Sequence, residues 1–504
     1  MSSKPNCIVS FYHDIEQNFD SDADPEVCRD VVKRFIALES RHGARATYNV
    51  VGRLFREQPD LIDWIVAAGH EVAFHSHEHH RDWRPEYYAD EVALCRATSE
   101  RPTGYRSPRS QWGQETLAAL WEHGFLWSAE NEPHRKEPYF VHKGLVRLPI
   151  LTDDWPAFTG RQDHDAWVRE LETAMATRPY VAIGAHDCVA ATDPEAWLTT
   201  WERLLKAAAE RGALMLSFAE TADLYRRGAV ARHYDATAKE WNDHSKTLYR
   251  SKRFQELIRA EAEKLEQPVV ADLASAGGVQ SFGLTDVAKH IYCVDNSPGM
   301  VASVKANAKL EGRLGELTAT SLPDQSIDLV FCVNAIEYLY AAEDLATEIR
   351  RIAKPGATCL VAFPALGGCP ERPPTSPPDR IQHYFTRDEV LQWGALLGQG
   401  RLLGIQYDPS EPITAEREQA YLEMERNPPP DVVPMFWVYV TRVERAPTAP
   451  GRRTIPLALC PFAFRAQRFE GLKSAFRSAK KRVPRPLKQA AKALVGRSGR
   501  RPAP

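Results

Sequence analysis

Over residues 1–228 the sequence alternates short apolar runs with helical segments, and the apolar runs end in ionisable residues. Cys7-Ile8-Val9-Ser10-Phe11-Tyr12 leads into His13-Asp14-Ile15-Glu16. Ala44 to Val51 ends at Gly52. Leu61 to Ala68 reads as a helix stopped by Gly69, and Glu71 to Phe74 is a third strand that delivers His75 and His79. Strand–helix alternation requires parallel strands joined by crossovers, which predicts an α/β barrel. Ionisable groups at the carboxyl ends of barrel strands are where such folds keep their chemistry.

The third strand opens a histidine cluster: His70, His75, His77, His79 and His80. His75 and His79 are four apart, so on a helical turn both imidazoles would leave from one face. Two imidazoles and one carboxylate form a common ligand set for a catalytic divalent metal. A solvated, histidine-rich loop is the other reading of the same spacing. His70, His77 and His80 are expected to face solvent or to support the ligands.

The order of the flanking segments resembles the polysaccharide deacetylases, carbohydrate esterase family 4. Ala46-Thr47-Tyr48-Asn49-Val50-Val51-Gly52 is similar to that family's ATFFVVG strand, and His75-Ser76-His77-Glu78-His79 fits its H-[ST]-x-x-H metal motif. Gly104-Tyr105-Arg106-Ser107-Pro108 fits R-x-P. Asp153-Asp154-Trp155 resembles its Asp-Trp pair, and Val181 to His186 its final strand ending in His. The resemblance implies a distorted (β/α) barrel and hydrolysis of an N-acetyl amide. It implies a metal, zinc first, with cobalt, nickel or manganese as alternatives, held by Asp14, His75 and His79. His186 would be the general acid, Arg106 would orient the base, and Asp154 would orient His186 or Arg106.

The first motif departs from the family, which carries two adjacent aspartates, base then ligand. Ungapped alignment puts His13 at the base position and Asp14 at the ligand position, and that is the expectation adopted. The other register uses Asp14 and Glu16, two apart on an extended chain and therefore on one side. The departure leaves the substrate open: a sugar or glycan intermediate of surface polysaccharide assembly, or a small-molecule amide outside glycan metabolism.

Residues 229–445 read as a second α/β domain. Pro268 to Leu273 is a strand running into Ala274-Ser275-Ala276-Gly277-Gly278, His290 to Met300 holds a strand with an acid at its end, Ser321 to Ala335 is a turn followed by a buried strand, and Glu348 to Ala357 precedes another strand, Thr358 to Phe363. This resembles the class I methyltransferases that use S-adenosylmethionine. A Rossmann-like doubly wound sheet follows, with the cofactor at the carboxyl ends of the strands. The resemblance places Asp272, Ala274, Gly277, Gly278, Asp295 and Asn296 at the cofactor, with Asp295 on the ribose hydroxyls. Two alanines stand where the family has glycine, which also permits a degenerate, non-catalytic binding module. Residues 364–380, rich in Pro and Gly, read as a loop over that site.

Composition bounds the rest. No apolar run is long enough to span a bilayer, the N-terminus lacks the apolar core of a signal peptide, and nine cysteines without close pairing fit a reducing compartment, so a cytosolic protein is expected. The net charge of −3 hides an asymmetry: residues 449–504 carry 15 Lys and Arg against one acid, leaving −17 on the remainder. The 446–504 tail, with Phe462, Phe464, Phe469, Leu472 and Phe476 interleaved among the basic residues, is expected to be partly helical or disordered and to touch anionic membrane. Neither domain resembles a nucleic-acid-binding fold, so nucleic acid is not an expected partner.

Overall fold

The structure is a computed structural model. It describes residues 5–17, 23–80, 83–245, 249–305, 307–368, 383–406, 413–426, 428, 432–444 and 453–462. The described residues form one compact unit holding two sheets.

The first sheet has nine strands among the described residues: β1 Ile8–Ile15, β2 Thr47–Val50, β3 Glu71–Phe74, β4 Gly104–Tyr105, β5 Trp127–Asn131, β6 Tyr139–Phe140, β7 Val146–Ile150, β8 Tyr180–His186 and β9 Leu214–Met215. Their order is β6-β7-β5-β4-β3-β2-β1-β8, with β9 on β1. All pairings are parallel except the β6–β7 hairpin. The sheet curls until Thr152, just past β7, bridges Ile183 of β8. This is the distorted barrel that the alternation and the resemblance implied. Every position of β1 is buried, because helices cover its outer face while the barrel interior fills the other.

The second sheet has seven strands among the described residues: β10 Val269–Leu273, β11 His290–Asp295, β12 Leu310–Leu314, β13 Ile327–Val333, β14 Ala353–Pro364, β15 Gly400–Ile405 and β16 Phe436–Arg442. The order is β12-β11-β10-β13-β14-β16-β15, parallel except for β16, which runs against both neighbours. Apolar side chains pack on both faces, as a covered parallel sheet requires. The order reverses between β10 and β13, which opens a crevice at their carboxyl ends. The doubly wound expectation is met.

A 28-residue helix, Phe218–Ser245, runs straight through the expected 228–229 boundary. Its first turn is held at the amino-terminal end of the barrel, where Thr47 Oγ1 and Glu71 Oε2 each accept a backbone N–H at 2.8 Å. Farther along, Arg226 donates to the Tyr338 carbonyl and lies over the Tyr340 ring, and Arg227 pairs with Glu316 beyond β12. Arg226 and Arg227 therefore tie the two sheets together instead of closing the first.

Residues 453–462 correct part of the tail expectation. Arg227 donates to the Ile455 carbonyl at 2.9 Å, Leu457 N donates to Glu316 at 2.9 Å, and Phe462 is buried against Tyr180 and Tyr225. This stretch is an apolar strap on the body, because burying Ile455, Cys460 and Phe462 outweighs leaving them among the basic residues. Phe464, Phe469, Leu472 and Phe476 lie outside the described residues, as does most of the 364–380 loop. No helix among the described residues is long and apolar enough to cross a membrane.

Candidate active sites

The extended backbone of β1 decides the first site. Alternation sends Asp14 into the barrel and His13 out beneath the covering helices. His13 Nε2 lies 2.6 Å from Glu39 Oε1, and the ring stacks on Tyr48 and packs against Phe35 and Trp201. It does not reach the cleft, so it cannot serve as the base the ungapped register assigned to it. Asp14 and Glu16 share the inner side, the alternative that the spacing had left open.

Glu16, rather than Asp14 as expected, groups with His75 and His79, while Asp14 groups with Glu16 and His186. Its Oε1 lies 3.0 Å from His75 Nε2 and 3.2 Å from His79 Nε2, and the three side chains are buried. His75 Nδ1 lies 3.0 Å from the Arg106 carbonyl. That contact orients the ring so that Nε2 faces Glu16. Burial alone would raise the Glu16 carboxyl, but His79 and His75 overcome it and hold the group well below the usual carboxylate range. Two imidazole nitrogens and an anionic oxygen converging at this spacing fit a divalent cation.

His75 and His79 do not share a helical turn. The segment bends, with Ser76 at φ 60° and His79 at φ 52°. Ser76 Oγ accepts the His79 N–H at 3.0 Å, and Glu91 accepts the N–H groups of His77 and Glu78. His77 and His70 are buried, while His80 stays partly exposed: His77 packs on Gly52, where a Cβ would sit 2.8 Å from its ring, and His70 Nδ1 accepts the Ala46 N–H. His80 Nε2 is 3.1 Å from Glu91.

Asp14 is pinned beside this centre. Its Oδ2 accepts Arg106 Nε at 2.6 Å and its Oδ1 accepts Asn49 Nδ2 at 2.8 Å. Burial pushes its carboxyl upward, and the Arg106 guanidinium, with His75 and His186, brings it below the ordinary value. His186 Nε2 lies 3.6 Å from Asp14. Asp154, placed before a short helix at the end of β7, holds His186 and not Arg106. Asp187, one residue on, accepts the backbone N–H groups of Glu16 and Gln17 and so fixes the end of β1. Trp155 and Phe158 stand exposed at the rim of the cleft.

Sequence reasoning missed Glu39, Asn49, Glu91 and Asp187. Each acts through backbone N–H groups or a buried neighbour, and such long-range pairs carry no local pattern. The inner-face spacing of Asp14 and Glu16 was the one signal that could have settled the register.

At the second site, the loop after β10 follows a glycine path with alanines in it. Ala274 has φ 58°, Ala276 φ 49° and Gly278 φ 71°. Ala276 N donates to Asp295 Oδ2 and Ser297 N to Asp295 Oδ1, both at 2.9 Å, so the acid ending β11 gathers the loop. Asp272, Ala274, Asp295 and Asn296 line the crevice, whereas Gly277 and Gly278 lie behind it, Gly278 close to Cys293. Burial, reinforced by Asp295, pushes the Asp272 carboxyl to about 7. An acid at the end of β11 and small residues under the crevice fit a nucleoside cofactor.

Two imidazoles and a carboxylate at the barrel's strand ends form a set that could hold a metal ion, and the doubly wound sheet carries a cleft at its switch point. Residues 13–126 match the polysaccharide deacetylase family, and residues 271–361 match a methyltransferase domain family. The chain thus carries a polysaccharide deacetylase domain followed by a methyltransferase domain, and the latter implies S-adenosylmethionine. A peptidoglycan deacetylase of Helicobacter pylori is 24% identical over 153 residues, 29% of this chain and 50% of that protein. A protein of Mycolicibacterium smegmatis named "Probable S-adenosylmethionine-dependent methyltransferase" is 32% identical over 97 residues, 18% of this chain and 38% of that protein. The chain thus spans half or less of the length of these curated relatives. Among solved structures, Puue allantoinase has a TM-score of 0.38 at 18% identity, covering 47% of this chain and 93% of that one.

Proposed function

We propose that the first domain is a metal-dependent deacetylase that hydrolyses the N-acetyl group of a sugar or glycan intermediate in surface polysaccharide biosynthesis. The observation that carries this reading is the convergence of Glu16, His75 and His79 beside the Asp14–Arg106 and His186–Asp154 pairs. A divalent ion held by Glu16, His75 and His79, zinc by the mixed nitrogen and oxygen set, would supply a Lewis acid and lower the pKa of bound water. Asp14 takes the proton of the attacking water, with Arg106 and Asn49 fixing which oxygen faces it. His186 gives its proton to the departing amine, and Asp154 keeps the imidazole oriented for that transfer. Trp155 and Phe158 offer apolar surface for the sugar at the rim. Acetate release from N-acetylglucosamine oligosaccharides, abolished by chelation and restored by zinc, tests the reading. Release that survives exhaustive chelation would sink it.

The second domain is a methyltransferase acting on an acceptor in the same pathway. Ala274 and Ala276 favour a second reading, a binding module that has lost the cofactor. Calorimetry with S-adenosylmethionine separates the two. The basic tail would bring the enzyme to an anionic membrane face.

A further inference from the structure

The crevice of the second sheet has two sides set by topology. Asp295 and residues 316–318 lie on the β11–β12 side, and residues 334–339 lie on the β13 side. The long helix that leaves the barrel adds Tyr234 and Trp241 to the crevice, with Tyr234 meeting Tyr338 on this second side. Their rings meet Tyr338 as a corner: Tyr234 and Trp241 are 5.4 Å apart at 74°, and Tyr234 and Tyr338 are 6.1 Å apart at 72°. The two tyrosine hydroxyls bond each other at 2.9 Å. Arg250 and Asn334 supply polar groups to the same crevice.

We propose that this corner is a saccharide site that presents the methyl acceptor. The proposal rests on the reading of the first domain as a carbohydrate deacetylase. Near-perpendicular rings suit a puckered ring, whose C–H bonds project in more than one direction while its hydroxyls reach polar groups around the edge. Two of the three rings stand on the helix whose first turn is bonded to Thr47 and Glu71 of the barrel. One element therefore closes the deacetylase barrel and builds the acceptor wall, which fits two reactions on one glycan. In the transfer, a sugar hydroxyl oxygen forms the new bond to the methyl carbon. The methyl–sulfur bond breaks with its electron pair left on sulfur, neutralising the sulfonium, and the hydroxyl proton passes to solvent.

The test is calorimetric titration of the full chain, with S-adenosylhomocysteine present, using chitotetraose and its deacetylated form. Two binding events are expected with at least one of these sugars. Trp241→Ala and Tyr234→Ala should each weaken one event by about tenfold or more, while acetate release, binding of S-adenosylhomocysteine and the melting temperature stay near wild type. Trp241→Phe should retain much of the binding, since a ring remains. Unchanged sugar binding in both alanine variants overturns the proposal, as does a single event in the wild type that neither variant alters. So does displacement of the Trp241-dependent event by a catechol that binds more tightly than either sugar. Absent acetate release with Trp241-dependent sugar binding intact overturns the deacetylase reading alone.

Discussion

Asp154 holds His186 at two points: Oδ1 lies 2.6 Å from the ring Nδ1, and Oδ2 accepts the His186 backbone N–H at 2.7 Å. Burial would lower the imidazole, but Asp154 outweighs it and raises His186 well above its ordinary value. A raised histidine carries its proton below that shifted value and loses it as pH climbs through it. The general acid is then present at neutral pH, and activity falls on the alkaline side. Asp154→Asn removes the main raising cause and leaves Glu16 and Asp14 against burial, so the imidazole falls. Hydrolysis should drop by about 100-fold or more, and the alkaline limb of kcat/KM should move to lower pH. An unmoved limb would show that His186 is not the group titrating there.

The two registers of the first motif separate cleanly by metal content. Glu16→Gln and His79→Ala should lose bound zinc by elemental analysis and lower hydrolysis by about 100-fold or more. His13→Ala should keep the metal. It should instead lower stability by about 1–3 kcal/mol, because Glu39 loses its closest buried partner and keeps Tyr48, Trp201 and the more distant His70. Loss of zinc in His13→Ala with retention in Glu16→Gln would restore the ungapped alignment.

Much of this was legible. β3 occupies the very residues expected of it, and β11 ends on Asp295 as read from the strand pattern. His75, His79, Arg106 and His186 line one cleft, with Asp154 bonded to His186. The failures have one physical origin. Which face of β1 looks inward depends on neighbours far along the chain, Arg106 on one side and Glu39 on the other. His75 and His79 could pose as a helical pair because spacing records separation but not the left-handed turns at Ser76 and His79. The helix through residue 228 was hidden because Gly228 looks like a stop, while packing on both sheets carries the helix through it.

The glycine-like backbone at Ala274 and Ala276 makes a signed prediction. A left-handed conformation costs an alanine roughly 1–2 kcal/mol that glycine does not incur, and glycine returns about 0.4–1 kcal/mol through the freer unfolded chain. Ala274→Gly and Ala276→Gly should therefore each be neutral to stabilising, by up to about 1 kcal/mol in urea denaturation. Affinity for S-adenosylhomocysteine should rise, because both residues line the crevice. Weaker binding in both variants would mean that the alanine methyl groups contact the ligand favourably.

The strap at 453–462 changes how the tail has to be tested. Cutting after residue 448 would remove Ile455, whose carbonyl accepts from Arg227, and Phe462, which packs on Tyr180 and Tyr225. Such a truncation should lower the melting temperature and confuse any membrane assay. Ending the chain after Phe462 keeps these contacts and still removes 13 of the 15 basic residues counted from 449 onward. Each basic residue near an anionic bilayer contributes about 1 kcal/mol, within about a Debye length. The full chain should pellet with phosphatidylserine vesicles at low salt and be released at high salt. The chain ending at Phe462 should stay in the supernatant, with its acetate release from a soluble oligosaccharide unchanged. If the full chain does not pellet at low salt, the tail has no membrane role and its charge serves a contact with protein.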